Sequence, residues 1–285
     1  MIITAKTCQE VRQQVKEWKK IGLTIGLVPT MGALHAGHAS LIKKSVEKCD
    51  KTIVSIFVNP TQFGINEDFS KYPRTLEQDT IIANEIGADM VFCPSAEEMY
   101  GENYDKNFLT LVCPPYDLVN KLCGKTRVGH FDGVATVVTK LFNIVQPDFA
   151  FFGEKDAQQL YIIKKMVKDL SMPIDIIPCP IVREPNNLAM SSRNQYLSET
   201  EKEKALCLSK ALFTIKDYYE KGINNVSALT DTAMSLIPDD VEVEYLDFLD
   251  YKTFEKTDII KEKTLVAICA KVGNTRLIDN IMLKI

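Results

Sequence analysis

The sequence predicts an α/β protein in which a parallel-sheet domain is followed by a smaller α+β domain. Three observations carry this. Over the first 180 residues short apolar runs alternate with amphipathic stretches, the repeat of β-α units around a parallel sheet. Past Leu197 the order changes to helices and then alternating strands. A chain of 285 residues is also long enough to build more than one core.

The elements follow in order. Thr7-Cys8-Gln9-Glu10 reads as a capping box opening a helix to about residue 20. Residues 23–28 form a first buried strand, ending in Pro29-Thr-Met-Gly32, and a helical pattern runs from 38 to about 48. Residues 52–58 are a second strand, ending in Asn59-Pro-Thr-Gln62. Thr75-Leu-Glu-Gln78 opens another helix, and 90–93 is a third strand. A helix over 131–145, a strand over 149–152, a helix from 156 to about 170 and a strand over 174–178 complete this half. Ser198-Glu-Thr-Glu201 then caps a long helix to about 221, a second helix lies near 226–236, and strands are expected at 241–248, 264–272 and 276–282. We therefore expect a Rossmann-like domain over 1–182 and a smaller α+β domain over 183–285.

Composition narrows the function classes. The chain is 46% hydrophobic and 25% charged with a net charge of −4, an ordinary globular balance that argues against a nucleic-acid or anionic-membrane partner. The opening MIITAKTCQE lacks the basic-then-apolar pattern of a signal peptide, and no apolar run is long enough to span a bilayer. The eight cysteines stand singly, with no Cys-x-x-Cys pair, as expected of reduced, mostly buried thiols in a cytoplasmic protein.

Ligands of open parallel sheets bind beyond the carboxyl ends of the strands. After the first strand comes Met31-Gly-Ala-Leu-His-Ala-Gly-His38, which holds two of the three histidines at a strand-to-helix turn. Glycine lets backbone approach a phosphate, the helix N-terminus offers N–H groups, and imidazoles can donate to phosphate oxygens as charge grows. This is the His-x-Gly-His pattern of nucleotidyl-transferring α/β enzymes. A second segment, Phe152-Gly-Glu-Lys-Asp-Ala-Gln-Gln159, places Lys155 for a phosphate, Asp156 for a helix cap or a ribose hydroxyl, and Gln159 one turn on. A third, Leu188-Ala-Met-Ser-Ser-Arg-Asn194, sets two hydroxyls beside an arginine suited to polyphosphate.

These runs, together with 55–63, Glu67-Asp-Phe69, Tyr72-Pro-Arg-Thr75, Gly129-His-Phe-Asp-Gly-Val-Ala-Thr136 and Arg276-Leu-Ile-Asp-Asn280, resemble the pantoate–β-alanine ligase family over nearly the full length. The resemblance implies an ATP-dependent ligase: ATP and (R)-pantoate form pantoyl-adenylate and pyrophosphate, then β-alanine displaces AMP to give pantothenate. It implies ATP contacts from Met31, Gly32, Ala33, Leu34, His35, Ala36, Gly37, His38, Gly153, Glu154, Lys155, Asp156, Val182, Met190, Ser191, Ser192 and Arg193. His38, His35, Lys155 and Arg193 would be catalytic, Gln62 and Gln159 would bind pantoate, and Asp79 would lie near Mg²⁺. It further implies a homodimer, with the C-terminal domain as a lid. Three positions depart from the family's usual pattern: Cys123 for a glutamate, Val128 for a proline, and Asn186-Asn187 for an Asp-Gly turn. Three other readings remain open on the residues alone: a nucleotidyltransferase that keeps AMP on its product, a tRNA-charging enzyme, and a non-catalytic nucleotide-binding protein.

Overall fold

The computed structural model describes residues 2–64, 67–102, 104–105 and 109–284. The chain forms two compact units: Met1–Glu154 with Gln158–Pro180, and Lys155–Ala157 with Ile181–Ile285.

The first unit is a six-stranded parallel sheet built from β1 (Ile3–Ala5), β2 (Ile25–Thr30), β3 (Lys51–Ile56), β4 (Met90–Phe92), β5 (Phe149–Gly153) and β6 (Asp175–Cys179), in the order β1-β4-β3-β2-β5-β6. The helices are α1 (Cys8–Lys20), α2 (Ala36–Lys48), α3 (Leu76–Ile86), the short α4 (Ala96–Tyr100), α5 (Tyr116–Val119) and α6 (Leu122–Thr126), then α7 (His130–Val145) and α8 (Ala157–Asp169). α8 has its first residue in the second unit and the remainder in the first. The central strands carry fully buried Ile25, Leu27, Ile53, Val54 and Phe151, because a parallel sheet covered on both faces wants continuous apolar runs. α7 is buried along most of its length, with twelve buried residues.

The Thr7/Glu10 capping box forms as expected. Two differences from the sequence reading have physical causes. β1 has only three residues, too few for a visible period, and is specified by pairing Ile3–Ala5 with Met90–Phe92. β2 begins two residues later than expected and runs through Pro29. β5 pairs with β2 only at Gly26 and Leu27, so Pro29 lies where the strand keeps a neighbour on one side.

From β2 the chain steps outward through β3 and β4, and from β5 it steps the other way to β6. β2 and β5 are therefore the neighbours at which the strand order reverses. Their pairing stops after Leu27, short of their carboxyl ends, and such a reversal is where ligands of open parallel sheets bind.

The second unit contains α9 (Glu199–Glu220), α10 (Val226–Met234) and an antiparallel sheet of β7 (Val241–Asp250), β8 (Glu255–Lys256), β9 (Lys263–Val272) and β10 (Thr275–Lys284) in the order β10-β9-β7-β8. Leu208, Ala211, Leu212 and Ile215 on α9 join Val266, Ile268 and Ala270 on β9 in one apolar core. Ser198 and Glu201 form the expected capping box. Among the described residues no helix is long and apolar enough to cross a membrane. The eight cysteines form no disulfide; Cys179, Cys207 and Cys269 are buried, four are half-buried and Cys113 is exposed, so fewer are buried than expected. Burial pushes the thiols of Cys8, Cys49, Cys179 and Cys207 up to about 11, which keeps them protonated and unreactive near neutral pH.

Candidate active site

In the first unit the loop after β2 is wound tightly. Gly32 has φ +84° and Ala33 φ +50°, two consecutive left-handed residues of which the second carries a side chain and so costs about 1 kcal/mol. The buried Asp79, from the first turn of α3, supports this turn. Its Oδ2 accepts the Ala33 N–H at 3.0 Å and the Thr75 hydroxyl at 3.2 Å, and its Oδ1 accepts the Leu34 N–H at 2.7 Å. A Cβ on Gly32 would lie 2.9 Å from Asp79 Oδ2, so the loop needs glycine there for space as well as for φ. Asp79, expected near Mg²⁺, is here the support of the loop, both of its oxygens accepting hydrogen bonds from it. Thr75 stands at the N-cap of α3, as expected of a residue that opens the helix, and its hydroxyl serves Asp79 in place of a helix N–H.

The loop delivers His35 and His38 to the start of α2, where they cap each other's turn. His35 Nδ1 accepts the Gly37 N–H at 3.0 Å, and His38 Nδ1 accepts the His35 N–H at 3.4 Å. The two rings stand 4.2 Å apart, tilted by 38°. With Nδ1 accepting in both, the neutral rings carry their proton on Nε2, the form that can donate to an anion.

Gln62 lies beside this loop, within a 3-10 turn over Pro60–Gln62. Its Nε2 donates to Met31 Sδ at 3.2 Å, and its Oε1 accepts from Asn59 Nδ2 at 3.0 Å. Asn59 is itself buried; its Oδ1 takes the Thr61 and Tyr100 hydroxyls and its Nδ2 also reaches the Gly133 carbonyl at 3.2 Å. From α7, His130 Nδ1 donates to the Gln62 carbonyl at 2.8 Å, while its Nε2 accepts from Arg127 at 2.9 Å. Arg127 grips Glu67 through two bonds of 2.6 and 2.8 Å. Burial pushes the Glu67 carboxyl up, but the bonds and charge of Arg127 outweigh it and hold the group below its ordinary value. His130 thus braces Gln62. Asn59 and Gly133 were missed as site supports, although Asn59 stands in the Asn-Pro-Thr-Gln run and Gly133 in the Gly-His-Phe-Asp-Gly run.

Gly153 ends β5, the strand next to β2, and Glu154 follows it. Of two adjacent glutamines on α8, Gln158 is buried and braces the segment before α7, donating to the Leu118 and Lys121 carbonyls at 2.8 and 2.7 Å. Gln159 is half-exposed.

The second unit carries the remaining expected residues. Lys155 and Asp156 lie in a 3-10 turn over Glu154–Asp156. Residues 182–190 fold back on themselves: Met190 N–H donates to the Val182 carbonyl at 3.0 Å and Glu184 N–H to the Leu188 carbonyl at 2.8 Å, which sets Val182 beside the Met190–Arg193 segment. Asn187 takes φ +73° at the tip, so the Asn-Asn pair supplies the left-handed residue that an Asp-Gly turn would supply. Ser191 Oγ accepts the Arg193 N–H at 3.2 Å, capping a 3-10 turn over Ser192–Tyr196. Of the other departures, Val128 is 91% exposed and Cys123 is half-buried on α6, neither within the residues expected to bind ligand.

Comparison with known proteins gives the family and the fold. The family model for pantoate-beta-alanine ligase matches residues 3–282. The pantothenate synthetase of Caldicellulosiruptor saccharolyticus is 51% identical over the whole of both chains, and that of Clostridium novyi is 49% identical over 97% of this chain and 96% of its own. The crystal structure of pantothenate synthetase from Thermus thermophilus superposes with a TM-score of 0.90 at 37% identity, covering 98% of this chain and 99% of that one. The Francisella tularensis pantoate-beta-alanine ligase, described as complexed with beta-gamma ATP and beta-alanine, superposes with a TM-score of 0.80 at 36% identity, covering 99% and 98%. The chain belongs to the pantoate–β-alanine ligase family.

Proposed function

We propose that this chain condenses (R)-pantoate with β-alanine at the expense of ATP, giving pantothenate, AMP and pyrophosphate through pantoyl-adenylate. The observation that carries the reading is the contact between Met31 and Gln62, which joins a loop shaped for nucleotide phosphates to an uncharged amide suited to a small hydroxy acid. Family membership over the full length, with a relative described in complex with an ATP compound and β-alanine, supports the same choice.

In the first step a pantoate carboxylate oxygen attacks the α-phosphorus and pyrophosphate leaves. His38 and His35 would donate from Nε2 to phosphate oxygens as their charge rises, a contribution worth roughly 10²–10³-fold per donor. Lys155 and Arg193 would neutralise the pentacovalent phosphorus. Met31–His38, Gly153–Asp156, Val182 and Met190–Arg193 would bind the nucleotide, and Gln62 and Gln159 the pantoate. Mg²⁺ would arrive on ATP as part of the substrate, balancing the pyrophosphate leaving group. In the second step the amine of β-alanine attacks the acyl carbon and AMP departs, taking the electron pair of the broken C–O bond.

An acyl-adenylate must be shielded from water. We therefore assign residues 1–182 as the catalytic domain and 183–285 as a lid, working in a cytoplasmic homodimer joined through the catalytic domain. Product analysis with ATP, Mg²⁺ and (R)-pantoate tests the reading. AMP and pantothenate should form only when β-alanine is added, while pantoate alone supports exchange between pyrophosphate and ATP. Bound ATP with neither product nor exchange would overturn it.

A further inference from the structure

The Arg276-Leu-Ile-Asp-Asn280 run lies on β10, an edge strand, with Asp279 opposite Ile268 and Asn280 opposite Ala267 of β9. Both polar side chains are buried, at 3% and 6% exposure, although edge strands ordinarily leave polar groups in water. Asp279 receives both arms of Arg183, at 2.6 and 2.9 Å, and its Oδ1 also accepts the Asn280 N–H at 2.7 Å. Arg183 additionally donates to the Asn187 carbonyl at 3.1 Å, so the same ion pair secures the fold-back that carries Val182. The backbone of Asn280 is thereby held from its outer side. Its side chain then donates from Nδ2 to the Lys155 carbonyl at 2.8 Å, across 125 residues of sequence. This bond ties Lys155–Ala157 to the second unit, to which those three residues belong.

We infer that Asn280, clamped by the Arg183–Asp279 pair, is a positioning residue for Lys155. Its amide fixes the backbone from which the Lys155 side chain starts, and so fixes the reach of that ammonium. The inference rests on the proposed role of Lys155 at the reacting phosphate. A flexible four-carbon side chain gains most from a fixed root, since each uncertainty at the backbone is carried to its tip. The arrangement also explains why a buried asparagine on an edge strand is used where an apolar residue would pack more cheaply.

The test is a double-mutant cycle read by pyrophosphate–ATP exchange with saturating pantoate. Asn280→Asp keeps the shape but removes the donor, and is expected to lower the exchange rate about tenfold with the KM for pantoate little changed. Lys155→Met is expected to lower it further. On the Lys155→Met background, Asn280→Asp should change the rate by less than about twofold, because the residue it positions is gone. Two effects that multiply, or an Asn280→Asp rate equal to wild type, would overturn the inference and leave the Lys155 role standing. An unchanged rate in Lys155→Met alone would overturn both. Where circular dichroism shows Asn280→Asp unfolded, Asn280→Ala removes the amide without adding a charge and is read in the same cycle.

Discussion

Replacing Asp79 by asparagine separates two jobs a carboxylate could perform here. The native group accepts three hydrogen bonds inside the first unit, two of them from the backbone N–H groups of Ala33 and Leu34 at 3.0 and 2.7 Å. Asparagine keeps one accepting oxygen and turns an NH₂ toward donors. At least one N–H loses its acceptor in a site only 1% exposed, a loss of about 2 kcal/mol for a bond to a charged acceptor. The left-handed Ala33 would then relax, since these bonds to Asp79 are what hold it. A drop of about 4–8 °C in the melting temperature of the first unit is expected, with faster hydrogen exchange at the Ala33 and Leu34 amides. The pyrophosphate–ATP exchange rate with pantoate should fall about tenfold or more, because the loop carries His35 and His38. The Mg²⁺ concentration for half-maximal rate should stay where it is. A variant with native melting temperature and amide exchange but a shifted Mg²⁺ midpoint would refute the reasoning and give Asp79 its job at the metal.

Two other perturbations probe the Gln62 side of the site. A Cβ on Gly133 would fall 2.5 Å from the Thr61 carbonyl oxygen and 2.6 Å from the Gln62 nitrogen, both backbone, so Gly133→Ala must push α7 away from the turn; a loss of about 1–3 kcal/mol in urea unfolding and a raised KM for pantoate are expected. The Glu67–Arg127 pair gives a pH signature. Because the folded carboxyl titrates below its ordinary value of 4.5, its stabilisation is complete above that value and is lost as the pH falls through the lower folded value. The stability gap between wild type and Glu67→Gln should therefore be constant near neutrality and close under acid, and a gap independent of pH would count against the pair.

Much of this was legible in the sequence because local chemistry and global fold agreed. The capping boxes at Thr7 and Ser198 could be read from four residues each, and the Asn186-Asn187 turn from the tolerance of asparagine for left-handed backbone. What stayed hidden depends on contacts between distant residues. Nothing in the pair Gln158-Gln159 says that the first braces Leu118 and Lys121 while the second is left half-exposed. The role of Asp79 follows from Ala33 and Leu34, 46 and 45 positions earlier, and a carboxylate in a first helical turn reads equally as a dipole partner or a ligand. The partners of His130, the Gln62 carbonyl and Arg127, are likewise set by how α7 packs on the 60–62 turn.

The start of α2 shows a compromise between stability and function that a single substitution can expose. α1, α3, α4 and α9 each carry acidic residues in the first turn, which offset the positive end of the helix. α2 carries none, and fills the third helical position with His38. A neutral imidazole satisfies the capping geometry while leaving the helix field to a bound anion. Glutamate at that position would complete an ordinary capping box with a charge of the favourable sign. His38→Glu is therefore expected to hold or raise the melting temperature, by about 0.3–1 kcal/mol of stability, while abolishing pyrophosphate–ATP exchange through repulsion of the nucleotide phosphates. His38→Ala is the control: it loses the cap as well as the donor, so it should be less stable than wild type and slower by about a hundredfold. If His38→Glu proved less stable than His38→Ala, the imidazole would be holding the loop by contacts other than the cap, and the conflict between a stable helix start and a phosphate site would not exist at this position.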